Sequence, residues 1–433
     1  MKAILLAAGE GLRLSPLTEK TPKPLLKILG ETILERTINN LSKCGVEGFI
    51  IITNYKEEKI KEYIQNRFPS FDIVFVHQPE IKGTGNAFLL AKNHIQDDFF
   101  IGVNGDCIYS FPLIEQTVEA ARKNTVSIGG KLVTDPENYG IILIDEDSSP
   151  YEIKEKPSRT EIKEGYANIG LYSVSKDIFP VLERMEEKGE VSSRGEYELP
   201  TALNKILSEK KYPVNLVTLC ENDYWFDIGR PWSLLEANKA LLNLCSDERK
   251  GDIEEGTHIE GPVIIKKGAI IKSGVYIEGP VFIDEDAVIG PNCYIRKYTY
   301  LGKKSRIGNA CEVKNSIIGD NTHAAHLSYI GDTIIGENCN FGAGTKTANL
   351  RLDKNTVPVN IKGKREDSGR RKLGAIVGDN VETGIGALIM PGVKIGCGAW
   401  IGSGTIVNED VPSESIYFGT QSYTLKRKKT NAS

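Results

Sequence analysis

From residue 253 onward an aliphatic side chain returns at every sixth position: Ile253, Ile259, Ile265, Ile271, Ile277, Ile283, Ile289, Ile295, Leu301, Ile307 and Val313. The period resumes at Val377 and runs through Thr383, Ile389, Ile395, Ile401 and Val407, with Gly, Asp or Asn at many of the turn positions between. An α-helix of 3.6 residues per turn cannot keep such a series on one face. Short strands joined by turns can. Each strand sends one aliphatic residue to a common axis, and the coils stack as a solenoid. This all-β stack is assigned to residues 251–412.

The first 230 residues have another rhythm. Ala3–Ala7 is an apolar run ending in glycines. Glu31–Leu41 carries Ile33, Leu34, Ile38 and Leu41 on one helical face, and Phe49–Thr53, Ile73–Val76 and Phe99–Val103 are strand-like runs. Alternating strands and helices predict a parallel, layered α/β domain over 1–230, with ligands at the carboxyl ends of its strands. Residues 231–250 read as a connection containing an amphipathic helix over 232–245. Residues 349–373 break the six-residue period and carry Arg351, Lys354, Lys362, Lys364, Arg365, Arg370, Arg371 and Lys372. That segment reads either as a solvated loop or as a phosphate-binding insertion. Residues 413–433 form a tail.

Composition narrows the setting. Apolar residues make up 40%, charged residues 26%, and the net charge is −4, which speaks against nucleic acid or an anionic membrane as a main partner. The opening MKAILLAAG is too short to be a signal peptide, and no 18-residue apolar stretch spans a membrane. The eight cysteines, at 44, 107, 220, 245, 293, 311, 339 and 397, form no CxxC pair. A reducing, cytoplasmic setting is expected.

The chemistry-bearing residues of the first half lie at predicted strand ends. In Leu6-Ala7-Ala8-Gly9-Glu10-Gly11-Leu12-Arg13, the small residues Ala8, Gly9 and Gly11 let backbone N–H groups approach phosphates. Arg13 and Lys23 add cationic donors. The GxxxxGK[ST] P-loop pattern is absent. With the adjacent Thr21-Pro22-Lys23-Pro24, this segment resembles the signature of nucleotidyltransferases that activate sugar-1-phosphates. Further segments match that family in order, and the resemblance implies a role for each. Gln78, Gly83 and Thr84 read base and ribose. Asp106 in Asn104-Gly105-Asp106 and Asp227 in Trp225-Phe226-Asp227 bind Mg²⁺. Gly140, Glu155, Lys156 and Asn168 form the sugar-phosphate wall. The reaction joins two anionic substrates, so its barrier is mostly positioning and charge repulsion. Mg²⁺ with one or two carboxylates, helped by Arg13 and Lys23, suits it.

In the second half, His323-Ala324-Ala325-His326-Leu327-Ser328-Tyr329 interrupts the hexads, followed by Asn340, by Gly342-Ala343-Gly344 and by Ala348-Asn349. Two histidines three apart can share a helix face and bind metal, but no third ligand lies nearby in sequence. The hexads resemble the hexapeptide-repeat family, which implies a left-handed parallel β-helix, although general rules favour right-handed crossovers. With these motifs the half resembles the acetyltransferase part of bifunctional N-acetylglucosamine-1-phosphate uridylyltransferase/glucosamine-1-phosphate acetyltransferases. It is similar above all to archaeal sugar-1-phosphate nucleotidyltransferases with amino-sugar acetyltransferase activity. By that resemblance His326 is the general base for transfer from acetyl-coenzyme A. Tyr329, Asn340 and Asn349 meet the sugar phosphate, and Gly342, Ala343 and Gly344 meet acetyl-coenzyme A or offer an oxyanion donor. The basic insertion and Lys426-Arg427-Lys428-Lys429 are candidates to meet the coenzyme's phosphates, and the tail reads equally as a disordered solubilising end. The family's lysine six residues after Asn349 is Asn355 here, with Lys354 or Lys362 as substitutes. The family is trimeric, so a homotrimer or dimer of trimers is expected. UTP and dTTP, and several sugar-1-phosphates, stay open as substrates. So does a monofunctional nucleotidyltransferase carrying a β-helix as scaffold.

Overall fold

The computed structural model describes residues 1–192 and 195–420. These divide into two compact units, one of residues 1–14 and 18–240, the other of residues 15–17 with the chain from 241 onward.

The first unit contains, in chain order, β1 (Lys2–Leu6), the short hairpin β2 (Lys27–Ile28) and β3 (Glu31–Thr32), α1 (Ile33–Lys43), β4 (Gly48–Thr53), α2 (Glu57–Arg67), β5 (Asp72–His77), α3 (Thr84–Leu90), β6 (Phe99–Asn104), β7 (Cys107–Tyr109), α4 (Phe111–Arg122) and β8 (Val126–Val133). Then come β9 (Gly140–Ile144), β10 (Pro150–Glu155), β11 (Gly165–Ser175), α5 (Ile178–Lys188), α6 (Leu199–Ser208), β12 (Val214–Thr218), β13 (Trp225–Asp227) and α7 (Pro231–Asn243). The main sheet runs β10-β9-β11-β6-β1-β4-β5, with β8 and β12 beyond β11. Every residue of β4 is buried, as suits a strand covered on both faces. At the start of α1, Thr32 and Glu35 form a reciprocal capping box. Glu35 also accepts from Tyr63 Oη at 2.6 Å, which ties α2 to α1.

The sheet is mixed, where a parallel one was expected. β1, β4, β5 and β6 are parallel, but β11 runs antiparallel to β6, β8 and β9, and β9 antiparallel to β10. The reason is connection length. Only Asp145–Ser149 join β9 to β10, which permits a hairpin and not a crossover. The expected connecting helix also differs from a free linker. α7 buries Leu234, Leu235, Ala237, Leu241 and Leu242, and its residues up to 240 belong to the first unit.

The second unit is three parallel sheets of two- to four-residue strands, with the chain visiting each in turn, the architecture of a left-handed β-helix. The hexad residues form its core: Ile265, Ile271, Ile277, Ile283, Ile289, Ile295, Leu301, Ile307 and Val313 are fully buried. Ile253, on the edge strand of its sheet, is 38% exposed. The apparent interruption after Val313 is a change of step, not a break. Ile318, Ala324, Ile330, Ile335 and Phe341 continue the core. Ile289 pairs with Ile307, eighteen residues on, but Ile307 pairs with Ala324, seventeen residues on. One turn in each of these coils is a residue shorter, and a strict period of six loses the thread there.

Residues 349–373 leave the coil as an antiparallel hairpin of strands Pro358–Ile361 and Lys364–Asp367, with Lys362 and Gly363 at positive φ in its turn. Val357, Val359 and Ile361 within this segment are buried, so it is a packed insertion and not a plain solvated loop. At the far end, Ile416–Tyr417 pairs with Trp400–Ile401, which extends the stack past residue 412. The basic run Lys426–Lys429 lies outside the described residues. No helix among the described residues is long and apolar enough to cross a membrane.

Candidate active sites

In the first unit, β1 ends where the glycine-rich loop begins. Ala7 N–H donates to Ile52 O at 2.9 Å, and Gly105 N–H donates to Leu6 O at 2.9 Å, which ties the β6–β7 turn to the same strand end. Gly11 has φ +67, and a Cβ there would lie 3.0 Å from Lys23 Cβ, so glycine lets the loop close over Lys23. The Lys23 side chain is 7% exposed, and its Nζ stands 2.6 Å from Asp106 Oδ2 and 3.7 Å from Asp227 Oδ1. Asp106 and Asp227 lie 121 residues apart in sequence. The antiparallel pairing of β7 with β13, in which Asp227 opposes Cys107, brings them together. Both carboxylates remain open, at 41% and 42% exposure.

Burial works against ionisation of Asp106, but the Lys23 ammonium outweighs it and holds the carboxyl below its usual range. At Asp227 burial prevails over Lys23, and the Asp106 charge adds to it, so its pKa is raised. Burial also disfavours the Lys23 ammonium, and the two carboxylates more than compensate. Two carboxylates thus converge on one cation. That donor set, oxygen-only and open on one side, fits Mg²⁺, which takes one or two carboxylates and completes its shell with phosphate oxygens and water. Arg13 is exposed, and its charge acts on Asp227.

Gln78 is buried after β5. Its Nε2 donates to Asn86 Oδ1 at 2.9 Å and to Gly83 O at 3.3 Å, which fixes the amide between β5 and α3. Gly83 has φ +99, and a Cβ there would meet Tyr197 O at 2.5 Å. Thr84 Oγ1 accepts from Leu199 N–H at 3.0 Å.

A cavity of about 280 Å³ gathers Thr84, Gly140, Glu155, Lys156 and Asn168 from separate segments. Ala8, Gly9, Gly11, Arg13 and Gln78 do not line it. Its further lining includes Asn104, from the motif that holds Asp106, and Tyr172, Glu196 and Glu198, which carry no motif and were not expected. Asn168 is aimed by an irregularity in β11, whose pairing with β8 shifts register between Asn168 and Tyr172. Gly170 makes that shift possible: its φ is +74, and a Cβ would fall 2.1 Å from Asn104 Nδ2. Lys156 sits at φ +44 although proline follows, a combination that side-chain sterics disfavour. Its N–H donates to Tyr139 O at 2.9 Å, which holds the strained turn.

In the second unit His323 and His326 begin and end a strand, not a helix, so the shared helix face does not exist. No cluster of three or more potential metal ligands occurs among the described residues. His326 is exposed, lies opposite Asn309, and its carbonyl accepts from Gly344 N–H at 3.1 Å. Asn349 Nδ2 donates to Asp332 Oδ2 at 2.6 Å and to Tyr329 Oη at 3.2 Å, and Asn315 Nδ2 donates to Asp332 Oδ1 at 2.6 Å. Asn349 thus bonds Tyr329 directly and ties it to the buried carboxylate of Asp332. Asn340 pairs with His323 in a different sheet from Tyr329 and is not part of that group.

Near Tyr329 stand two cations that carry no motif, Arg296 and Lys314, with Lys372 of the basic insertion. Arg296 and Lys314 occupy matching places on neighbouring coils, and Lys372 comes close to Lys314. Burial, then Lys372 and Arg296, lower the Lys314 pKa against the opposing pull of Asp332. The eighteen-residue spacing of Arg296 and Lys314, one coil, was the available signal. Gly342 N–H is taken by Thr383 O at 2.9 Å and Gly344 N–H by His326 O, so among the described residues Ala343 N–H is the one backbone donor of that turn with no backbone acceptor. Ala343 and Gly344 line an apolar furrow with Leu327, Ile385, Gly386, Ser403 and Gly404.

Residues 2–243 match the nucleotidyl transferase family, and residues 277–384 match the GMPPB C-terminal domain family. A protein of Methanocaldococcus jannaschii called bifunctional protein GlmU is 44% identical over 418 residues, covering 96% of this chain and 97% of that protein. The protein of that name from Methanococcus maripaludis strain C7 is 45% identical over 430 residues, 99% of this chain and 100% of its own. A bifunctional sugar-1-phosphate nucleotidylyltransferase/acetyltransferase of Sulfurisphaera tokodaii is 43% identical over 412 residues, 95% of this chain and 98% of that protein.

Proposed function

We propose, for a chain that belongs to the bifunctional nucleotidylyltransferase/acetyltransferase family, that it supplies the last two steps toward a UDP-linked N-acetylamino sugar in the cytoplasm. One step transfers uridylyl (or thymidylyl) from the triphosphate to N-acetylglucosamine-1-phosphate or glucose-1-phosphate. The other N-acetylates glucosamine-1-phosphate from acetyl-coenzyme A. The observation that carries this reading is the presence of two separate constellations, Asp106–Lys23–Asp227 in one unit and His326 with Tyr329–Asn349–Asp332 in the other.

For nucleotidyl transfer, an oxygen of the sugar phosphate attacks the α-phosphorus while the bond to the leaving pyrophosphate breaks. Mg²⁺ supplies charge neutralisation on the phosphates when bound. Asp106 and Asp227 would hold it, and Lys23 keeps these two mutually repelling carboxylates together. Arg13 meets the phosphates of the triphosphate. Lys156 holds the attacking phosphate, with Glu155 and Asn168 on the sugar hydroxyls. The fixed amide of Gln78 reads the base.

For acetyl transfer, the free amine attacks the thioester carbonyl and His326 takes its proton as the tetrahedral carbon forms. The Ala343 N–H faces the oxyanion, and the coenzyme A thiolate leaves. Arg296, Lys314 and Lys372 bind the acceptor's phosphate beside Tyr329 and Asn349. The apolar furrow carries the pantetheine arm, and the hairpin cations meet the coenzyme's phosphates.

A substrate matrix on one preparation tests the whole reading. Pyrophosphate release is expected with UTP and a sugar-1-phosphate, and coenzyme A release with an amino sugar-1-phosphate. Pyrophosphate release without any coenzyme A release would reduce the β-helix to a scaffold.

The stack also leaves Trp400, Ile406, Ile416 and Phe418 exposed, at 54%, 57%, 63% and 67%. Large exposed apolar residues gathered on the last strands of the stack mark an association surface. A homotrimer or dimer of trimers is therefore expected in light scattering, and a stable monomer at assay concentration would contradict it.

A further inference from the structure

Lys56 opens α2 in a way that its own chemistry opposes. It is the N-cap residue, at φ +49 and ψ +39, and its side chain makes no cap bond. Helix N-caps favour Ser, Thr, Asp or Asn, whose oxygens accept the unpaired N–H groups, and lysine offers no acceptor. An ammonium near the positive end of a helix is repelled. A left-handed conformation is strained for lysine, which has a β-carbon and no short polar side chain to bond locally. Three unfavourable choices at one position call for a compensating role, since such strain persists chiefly where a function requires it.

The side chain shows that role. Lys56 Nζ donates to the carbonyl of Glu19. Its neighbours do the same to the flanking residues: Tyr55 Oη donates to Thr18 O at 3.2 Å, and Lys59 Nζ donates to Lys20 O at 2.7 Å. Three consecutive carbonyls are thus held by three donors from the start of α2. These carbonyls belong to the loop that runs from Arg13 to Lys23. The same stretch is braced from within, because Thr18 Oγ1 donates to Gly11 O at 3.0 Å. A row of carbonyls aimed one way resembles the negative end of a helix, and cations are the groups that stabilise it.

We propose that Lys56, with Tyr55 and Lys59, is a positioning residue for nucleotidyl transfer. It clamps the loop so that Arg13 and Lys23 are in place before the nucleoside triphosphate arrives. This rests on the nucleotidyltransferase reading of the first unit. The clamp exchanges local helix stability for loop order, since a loop already ordered loses less freedom when the ligand binds.

The test uses the full chain and the variants Lys56→Asn and Lys56→Arg. Asparagine is a good N-cap and tolerates the left-handed conformation, so Lys56→Asn is expected to raise the melting temperature of the first unit's transition. It is also expected to lower kcat/KM for UTP by roughly 10- to 100-fold, the range that small misplacement of reacting groups produces. KM should carry most of the change, and calorimetry should show weaker UTP binding. Acetyl transfer should stay at the wild-type rate, and Lys56→Arg should restore UTP binding. Unchanged UTP binding and turnover in Lys56→Asn would overturn the proposal. So would a drop in melting temperature with loss of both activities, because Lys56 would then serve stability alone. A wild-type protein that neither binds UTP nor releases pyrophosphate would instead overturn the reading of the site itself.

Discussion

Asp106→Ala and Asp227→Ala should each lower pyrophosphate release by about 10³-fold, the scale seen when one preorganised charge-stabilising group is removed from an active site. The expectation comes from geometry. Both carboxylates converge on one point marked by Lys23 Nζ, and either loss leaves a single carboxylate to hold the cation. Removing Asp106 also takes away the closest partner of a buried ammonium, so some destabilisation is expected with it. Asp106→Asn and Asp227→Asn separate the two effects, because the amide keeps the shape and loses only the charge. Acetyl transfer measured on the same samples reports whether the chain has folded. Near-normal pyrophosphate release in any of these folded variants would remove the carboxylate pair from the mechanism.

His326→Ala should lower coenzyme A release from acetyl-coenzyme A and glucosamine-1-phosphate by about 10²–10⁴-fold, the usual cost of losing a general base. Pyrophosphate release should stay near the wild-type rate, since effects at distant sites with no shared partners are additive. The substitution is structurally mild. The ring is exposed, and the backbone carbonyl that receives Gly344 N–H is kept. His323→Ala is a matched control: it lies on the same strand, opposite Arg306 and Asn340, and away from the Tyr329–Asn349 pair. It should leave coenzyme A release within a few-fold of wild type. Full acetylation by His326→Ala would move the base elsewhere, and equal losses in the two variants would point to damage to the strand.

The β-helix was legible from residue 253 because burial in a solenoid is periodic, and an aliphatic residue at each inward position writes that period into the chain. The same reading failed between Val313 and Val377. A seventeen-residue coil keeps every strand and shortens only a turn, and turns carry no aliphatic marker. Ile318, Ala324 and Ile330 were core residues in plain view, displaced by one place.

Strand identity in the first half was equally plain in Phe49–Thr53 and Phe99–Val103, but strand direction was not. Side chains register whether a strand is covered, whereas the length and path of the connection decide which way the next strand runs. The antiparallel β9, β10 and β11 therefore appear only in the folded chain.

The candidate sites divide along the same line. Motifs whose order resembles a known family singled out Asp106, Asp227, Glu155, Lys156, Asn168 and His326, and their residue types are those that phosphate, metal and proton chemistry require. Which groups meet depended on the tertiary structure. The pairing of β7 with β13 sets Asp227 beside Asp106, and stacked coils set Arg296 and Lys314 beside Tyr329. The fold also withdrew donors that composition had offered: Gly342 and Gly344 spend their N–H groups on carbonyls of the stack, and only Ala343 is left. Sequence determines which chemistry a chain can perform, since functional groups are local properties. Distance, burial and the occupation of each hydrogen-bonding group arise from pairings across many residues, and only the folded chain decides them.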